Sequence, residues 1–306
     1  MGINRRQFTT AGLSVAGLAA ISGPAALAQS SGLLHKAIPS SGEKIPVVGL
    51  GTNRYGVGTS ADVRAPLKAA LARFHALGGT VIDTAPGYRT SESVLGDLIG
   101  ELGIRSELFM ATKTDKSGGR KENAAQIADS LRKLKSESVD LMQVHNLNGW
   151  QNALPLMREL KEEGRIRYVG ITTSRADQYK EFEKAMLAET LDFVQLNYSL
   201  EQRESAERLM PLAADRGVAV MINRAFGGGR LFNRVDDQLL PDWAREFDCA
   251  SWAQFLLKYA ISHPASTVVI PGMTKVHHVD DNFGAARGRL PNTAERAMME
   301  AFFDNL

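Results

Sequence analysis

Cysteine is almost missing from this chain of 306 residues. Cys249 is the single one, so an intrachain disulfide has no second partner and no Cys/His cluster has zinc spacing. His277 and His278 do not fill that gap, because neighbours on a helix point about 100° apart, away from a shared ion. An excess of one charge is missing too. Lys and Arg number 36 against 34 Asp and Glu, a net charge of +2, which gives no electrostatic footprint for nucleic acid or a membrane surface. What is present is an ordinary globular composition, 44% hydrophobic and 23% charged. The length suits one large domain or two small ones.

Residues 1–28 read as a signal peptide. Asn4-Arg5-Arg6-Gln7-Phe8 precede an uncharged run of apolar and small residues from Ala11 to Ala26. Ala26-Leu27-Ala28 then fits a signal-peptidase site with cleavage before Gln29. The paired arginines and the moderate hydrophobicity of the run resemble the twin-arginine export signal; an ordinary secretory signal or a membrane anchor is the alternative. The resemblance implies the twin-arginine machinery as a partner, a periplasmic or otherwise exported destination, and no stable membrane span after cleavage. That route carries folded proteins, often with a cofactor already bound. Residues 29–44 are rich in Ser and Gly at their start and read as a linker with a small lid or hairpin.

From Ile45 onward, short apolar runs alternate with amphipathic helices. The runs are 47–52, 80–84, 108–113, 139–145, 166–173, 193–198, 218–223 and 267–272, and faces such as Leu67, Leu71 and Phe74 mark the helices between them. Eight such pairs over about 250 residues have the dimensions of a (β/α)8 barrel, the TIM barrel, so residues 45–306 are expected to form one α/β domain of that kind. A doubly wound open sheet would want a Gly-x-Gly-x-x-Gly turn after an early strand. Gly49-Leu50-Gly51-Thr52-Asn53-Arg54 lacks that spacing.

In a barrel, the C-terminal ends of the strands face the active site. Here those ends carry Asn53-Arg54-Tyr55, Asp83, Lys113, His145, Thr172-Thr173, Gln195 with Asn197, Asn223-Arg224, and 272–275. Polar residues closing eight apolar strands are poor core material. Asp83 ends its strand, Ala85-Pro86-Gly87 turns the chain, and Tyr88 follows on the loop. A free phenol has a pKa near 10, and a nearby ammonium such as that of Lys113 lowers it. Lys113 would need Asp83 as counter-ion if partly buried, and His145 is placed to direct a carbonyl oxygen. Such a set protonates a developing alkoxide. Hydride transfer is the natural companion reaction, since neither a metal motif nor a nucleophile–base pair is in evidence.

The segments GLGT, DTAPGY, ATKTD, QVHNL, VGITTS, VQLNYSL and IPGMTKVHHVDDNFG, running in order from about Ile45 to Ala285, resemble the aldo-keto reductase superfamily. The resemblance implies a (β/α)8 barrel and an NAD(P)H-dependent oxidoreductase that reduces an aldehyde or ketone to an alcohol. Its catalytic tetrad maps onto Asp83, Tyr88, Lys113 and His145, with Tyr88 as proton donor and NADP(H) supplying hydride, NAD(H) not excluded. The implied cofactor residues are Gly51, Thr52 and Asn53 after the first strand, and Thr172, Thr173 and Gln195 at the nicotinamide carboxamide. After strand seven they are Asn223, Arg224, Gly227 and Gly228; after strand eight, Gly272, Thr274, Lys275, His278, Asp281 and Asn282. Thr173 replaces an amide usual in the family, and Asn223 replaces an aromatic that stacks on the nicotinamide; Phe226 and Arg224 are the candidates to compensate. Glycines in the 227–229 turn let backbone N–H groups approach a pyrophosphate, and the helix after Lys275 offers its N-terminus to an anion.

Arg54, Tyr55 and Trp150 are expected to line a small-molecule substrate pocket, with Trp243 a further candidate. The rival to the enzyme reading is a nucleotide-binding redox sensor or partner subunit with little turnover, which the lost aromatic and the export signal favour.

Overall fold

The computed structural model describes residues 32–306; the expected signal peptide and its cleavage site lie outside the described residues. The chain opens with an antiparallel hairpin, β1 (His35–Ala37) and β2 (Lys44–Pro46). Eight parallel strands follow: β3 (Leu50–Gly51), β4 (Val81–Asp83), β5 (Phe109–Thr114), β6 (Val139–His145), β7 (Ile166–Thr172), β8 (Phe193–Asn197), β9 (Ala219–Asn223) and β10 (Ser266–Val269). They pair in sequence order from β3 to β10. Parallel bridges Val48↔Val269 and Gly51↔Gly272 then join the first strand to the last and close the barrel. Closure brings backbones so near that a Cβ on Gly51 would stand 2.6 Å from the Ile270 carbonyl oxygen. Only glycine fits there.

Helices α1 (Ala61–Ala76), α2 (Ser91–Leu102), α3 (Arg120–Lys133), α4 (Trp150–Glu162), α5 (Tyr179–Ala188), α6 (Leu209–Asp215), α7 (Arg230–Val235), α8 (Trp252–Ser262) and α9 (Val276–Gly284) follow the strands. The strand period of two sorts side chains between two cores. Ile82, Met110, Met142, Val144, Val194 and Ile222 face the helix layer, where Leu71, Leu95 and Leu131 meet them. Val81, Phe109, Leu141, Tyr168, Phe193 and Met221 point inward and form a separate cluster inside the barrel. One step of two residues further along the strands, the same inward phase delivers Asp83, Gln143, Gln195 and Asn223, and another step delivers Lys113 and His145. The polar layer thus lies at the C-terminal end, above an apolar plug.

The hairpin completes that plug. Ile38 and Ile45 join the inner cluster of Phe109, Tyr168 and Phe193, and Tyr168 donates to Ser41 Oγ at 2.8 Å. A linker with a small lid or hairpin was expected within 29–44; the observed hairpin spans 35–46 and stoppers the end of the barrel remote from the polar layer. It is not a lid over the mouth, because its two buried isoleucines find apolar partners only at the strands' N-terminal ends. Two segments lie beyond the expected helix series. A 3-10 turn (Asp242–Phe247) gathers Trp243 against Phe247, Phe255 and Phe302, so Trp243 belongs to packing. Helix α10 (Thr293–Asp304) starts in a capping box of Asn292 and Glu295. Its buried Arg296 donates to Ser262 Oγ at 2.7 Å and also to the hydroxyl of Tyr198, whose ring stacks on Tyr259. Tyr198 is a structural residue.

Candidate active site

Four strand ends and one turn build the centre. Asp83 and Lys113 are buried, and Lys113 Nζ donates to Asp83 Oδ2 at 2.6 Å and to the Thr84 carbonyl at 2.8 Å. The other carboxylate oxygen, Oδ1, accepts from the side-chain amides of Gln143 at 3.1 Å and Gln195 at 2.9 Å. Two charges out of water are tolerable only with such full pairing. The turn 85–88 is closed by Tyr88 N donating to the Ala85 carbonyl at 3.1 Å. Ser91 and Thr52 clamp it from behind: Ser91 Oγ donates to the Thr52 carbonyl at 3.0 Å, and Thr52 Oγ1 to the Asp83 carbonyl at 2.8 Å. Tyr88 then lies with its ring centroid 5.1 Å from Lys113 Nζ and edge-to-face with His145 at 6.0 Å.

Burial works to lower the Lys113 pKa, but the charges of Asp83 and Tyr88 outweigh it and hold the ammonium above its ordinary range. Burial pushes the Tyr88 phenol up; Lys113 pulls it down and Asp83 adds to the rise. Lys113 alone was expected to leave the phenol below its free value. The net direction is upward, because the ring is too deeply buried for one ammonium to compensate. Burial, reinforced by Lys113, lowers His145 to about 4. The group at neutral pH is thus a protonated phenol, a charged lysine and an uncharged imidazole.

These residues open on a cavity of about 640 Å³. Asp83, Tyr88 and His145 stand at its inner end, with Arg54 and Asn146 beside them, while Lys113 lies beneath its floor. Gly51, Thr52, Asn53, Thr172, Gln195 and Asn223 form the middle wall. Arg224, Gly228, Gly272 and Thr274 lead outward to His278, Asp281 and Asn282 on α9. Asp281 is held by Ser251 Oγ at 2.7 Å and Gln254 Nε2 at 2.9 Å, both donating to Oδ1. Burial, with His277 and Lys275, lowers the His278 pKa.

Five expected residues stand elsewhere. Tyr55 is fully buried and its hydroxyl donates to the Met273 carbonyl at 3.0 Å, bracing the two loops where the barrel closes. Trp150 begins α4 and turns its indole N–H to Glu181 at 3.0 Å. Neither aromatic lines the cavity: the Met273 carbonyl holds the Tyr55 hydroxyl and Glu181 holds the Trp150 indole. Thr173 Oγ1 donates to Gln178 Oε1 at 2.5 Å and steadies the next turn; Ser174 reaches the cavity in its place. Gly227 is buried at the hinge of the 227–229 turn, leaving Gly228 and Gly229 on the wall. Lys275 is the exposed N-cap residue of α9, beside the cavity.

Gln143, Asn146, Ser174 and Phe232 were not anticipated. Gln143 sits two residues before His145 on the same inward face, a signal available from the period alone. Asn223 donates to the Thr173 carbonyl at 3.0 Å, and its Oδ1 is buried without a partner.

A model of the Aldo/keto reductase family matches residues 47–301. Among curated proteins, Aldo-keto reductase YhdN of Bacillus subtilis is 28% identical over 225 residues, 67% of this chain and 65% of its own length. The NADH-specific methylglyoxal reductase of Escherichia coli is 28% identical over 56% of this chain and 60% of its own. The chain thus spans just under two thirds of these two relatives. Methylglyoxal reductase YeaE of E. coli is matched more fully, at 29% identity over 87% of this chain and 94% of its own. A solved aldo-keto reductase from Klebsiella pneumoniae in complex with NADPH superposes with a TM-score of 0.73 at 25% identity, covering 89% of this chain and 96% of that one.

Gln143→Leu removes one donor from Asp83 with little change in bulk. It is expected to cost about 2 kcal/mol of stability, because a hydrogen bond to a buried charge is lost. The readout is a lower urea midpoint; an unchanged midpoint would show that Gln195 alone holds the carboxylate.

Proposed function

The chain belongs to the aldo/keto reductase family, and on that premise we propose that it reduces an aldehyde or ketone to an alcohol with NADP(H), Tyr88 giving the proton. The observation that carries this reading is the Tyr88 phenol, kept protonated by burial and set between Lys113 and the neutral His145 at the inner end of an open cavity.

The cavity suits a dinucleotide. It runs from Asp83 at the barrel centre to Asn282 on α9. Midway, Gly228 and Gly229, at φ of 74° and 99°, leave room that a side chain would fill. Arg224 and the N-terminal turn of α9 add positive charge for phosphates. Thr172 and Gln195, bonded to each other at 3.0 Å, stand in the wall proposed for the carboxamide, and the orphaned Asn223 Oδ1 is an open acceptor there. Lys275 and His278 favour a 2′-phosphate, hence NADP over NAD.

When bound, the dihydronicotinamide supplies the hydride. His145, uncharged, directs the carbonyl oxygen toward Tyr88. As the C=O π pair moves to that oxygen, the Tyr88 O–H bond breaks and its proton completes the alcohol; the phenolate left behind is stabilised by Lys113 until solvent returns the proton. Asp83 keeps Lys113 charged.

The lost aromatic at Asn223 sustains the second reading, a nucleotide-binding sensor with little turnover. We propose further that residues 1–28 direct twin-arginine export, as the Arg5-Arg6 pair and the Ala26-Leu27-Ala28 site suggest.

Tyr88→Phe separates the readings. It is expected to lower kcat for carbonyl reduction at least about a hundredfold while NADPH still binds; undiminished turnover would remove Tyr88 from its role. His145, near 4 in the folded chain, should keep reduction steady as pH falls to about 5 and let it drop only below that. Arg5→Lys with Arg6→Lys is expected to hold the precursor in the cytoplasm; continued export would point to the general secretory route.

A further inference from the structure

Tyr55 and Trp150 are withdrawn into the core, and Arg54 and Asn146 are among the residues that line the cavity. Arg54, in the turn after β3, is exposed there and its guanidinium has no hydrogen bond or ion pair. Among the described residues, Arg89, Arg165 and Arg224 are the other arginines in that state. Arg165 precedes β7 at the stoppered end. Arg54 and Arg224 line the cavity, and Arg89 follows Tyr88 on the loop packed against that of Arg54.

This grouping is informative because acidic and basic residues are nearly equal in number, 34 against 36. Most surface arginines here find a carboxylate, as Arg64 finds Asp97 and Arg120 finds Glu159. Cations left without one around a single opening set up a positive potential aimed at what enters. The neighbouring carboxylate, Asp115, accepts from Gln126 Nε2 at 2.7 Å and lies 3.9 Å from Lys116.

Arg224 hangs over the glycine turn, 3.5 Å from where a Cβ on Gly228 would stand, on the dinucleotide side. Arg54 shares the cavity lining with Tyr88, and Arg89 is the next residue after Tyr88 in the chain. Their loops are pressed together so closely that a Cβ on Gly56 would meet the Arg89 Cβ at 2.8 Å, and Thr90 Oγ1 ties them by donating to the Val57 carbonyl at 2.7 Å. Arg89 is held at φ 56° and Asn146, next to His145, at φ 51°. Asn146 lines the cavity, and its Oδ1 is buried without a partner. Strained backbone and an unmet acceptor beside a reaction centre mark a contact completed by a ligand.

We propose that the carbonyl substrate of this chain carries an oxyanion, a carboxylate or a phosphate, held by Arg54 on the cavity wall, with Arg89 on the abutting loop adding positive charge and Asn146 accepting a hydrogen bond from a hydroxyl of the same molecule. The inference rests on the reductase reading above. A guanidinium fork recognises either oxyanion in a way that a neutral aldehyde does not match.

The test uses the full chain with NADPH and two matched pairs, 4-oxobutanoate against butanal and glyceraldehyde 3-phosphate against glyceraldehyde. In at least one pair, kcat/KM for the charged member is expected to exceed that for the neutral one about tenfold or more; which pair does so distinguishes carboxylate from phosphate. Arg54→Ala should bring that ratio toward one, through KM more than kcat. Equal kcat/KM within both pairs overturns the inference. So does an Arg54→Ala variant that weakens NADPH binding and leaves the ratio as it was, because the guanidinium then serves the cofactor. Retained NADPH binding with no turnover of any of the four compounds overturns the reductase reading itself, and this inference with it.

Discussion

The buried contact between Asp83 and Lys113, 2.6 Å long with both side chains out of water, is the constraint on which the rest of the site depends. Desolvating two ions costs several kcal/mol each unless every remaining lone pair and proton is met. The barrel meets that demand with Gln143 and Gln195 on the free carboxylate oxygen and the Thr84 carbonyl on the ammonium. Once those partners are required, the ends of β4, β5, β6 and β8 are fixed relative to one another. Tyr88 and His145 inherit their placement from that frame. Lys113 cannot be discharged cheaply while Asp83 faces it, and this is what keeps a cation under the phenol.

The same inward phase that supplies this pair also separates the two ends of the barrel. Apolar inward residues and the hairpin isoleucines close one end; polar inward residues occupy the other. Water is excluded from below and admitted from above, so burial acts unequally on the titrating groups. It raises Tyr88 and lowers His145, and leaves both in the forms that suit proton donation to a carbonyl.

Much of this was legible in the residues. Eight apolar runs with helical faces between them point to a closed barrel, and polar residues at the run ends point to the site, because period two and chain direction are properties of sequence. Asp83, Tyr88, Lys113 and His145 could be picked out as a group since each lies at a strand end or on the adjoining turn. Tyr55 and Trp150 were misplaced for the opposite reason: beyond a strand end no period operates, and nothing local fixes which way an aromatic ring turns. Only the Met273 carbonyl and Glu181, distant in the chain, decide it. Gln143 escaped notice because a mid-strand amide resembles core until its partner is known. Helix α10 lay outside the repeating unit, although the Asn292-to-Glu295 spacing signals its start.

The most direct measurement is the pH dependence of kcat for carbonyl reduction by Asp83→Asn. With its counter-ion gone, Lys113 is left to burial, which lowers its pKa. The ammonium should then be lost at neutral pH and regained as the solution is acidified. The account predicts a variant that is weak at neutral pH and recovers activity on going to lower pH, before His145 protonates. A profile parallel to that of the unaltered chain would contradict it, and would mean that Lys113 does not act on Tyr88 through its charge.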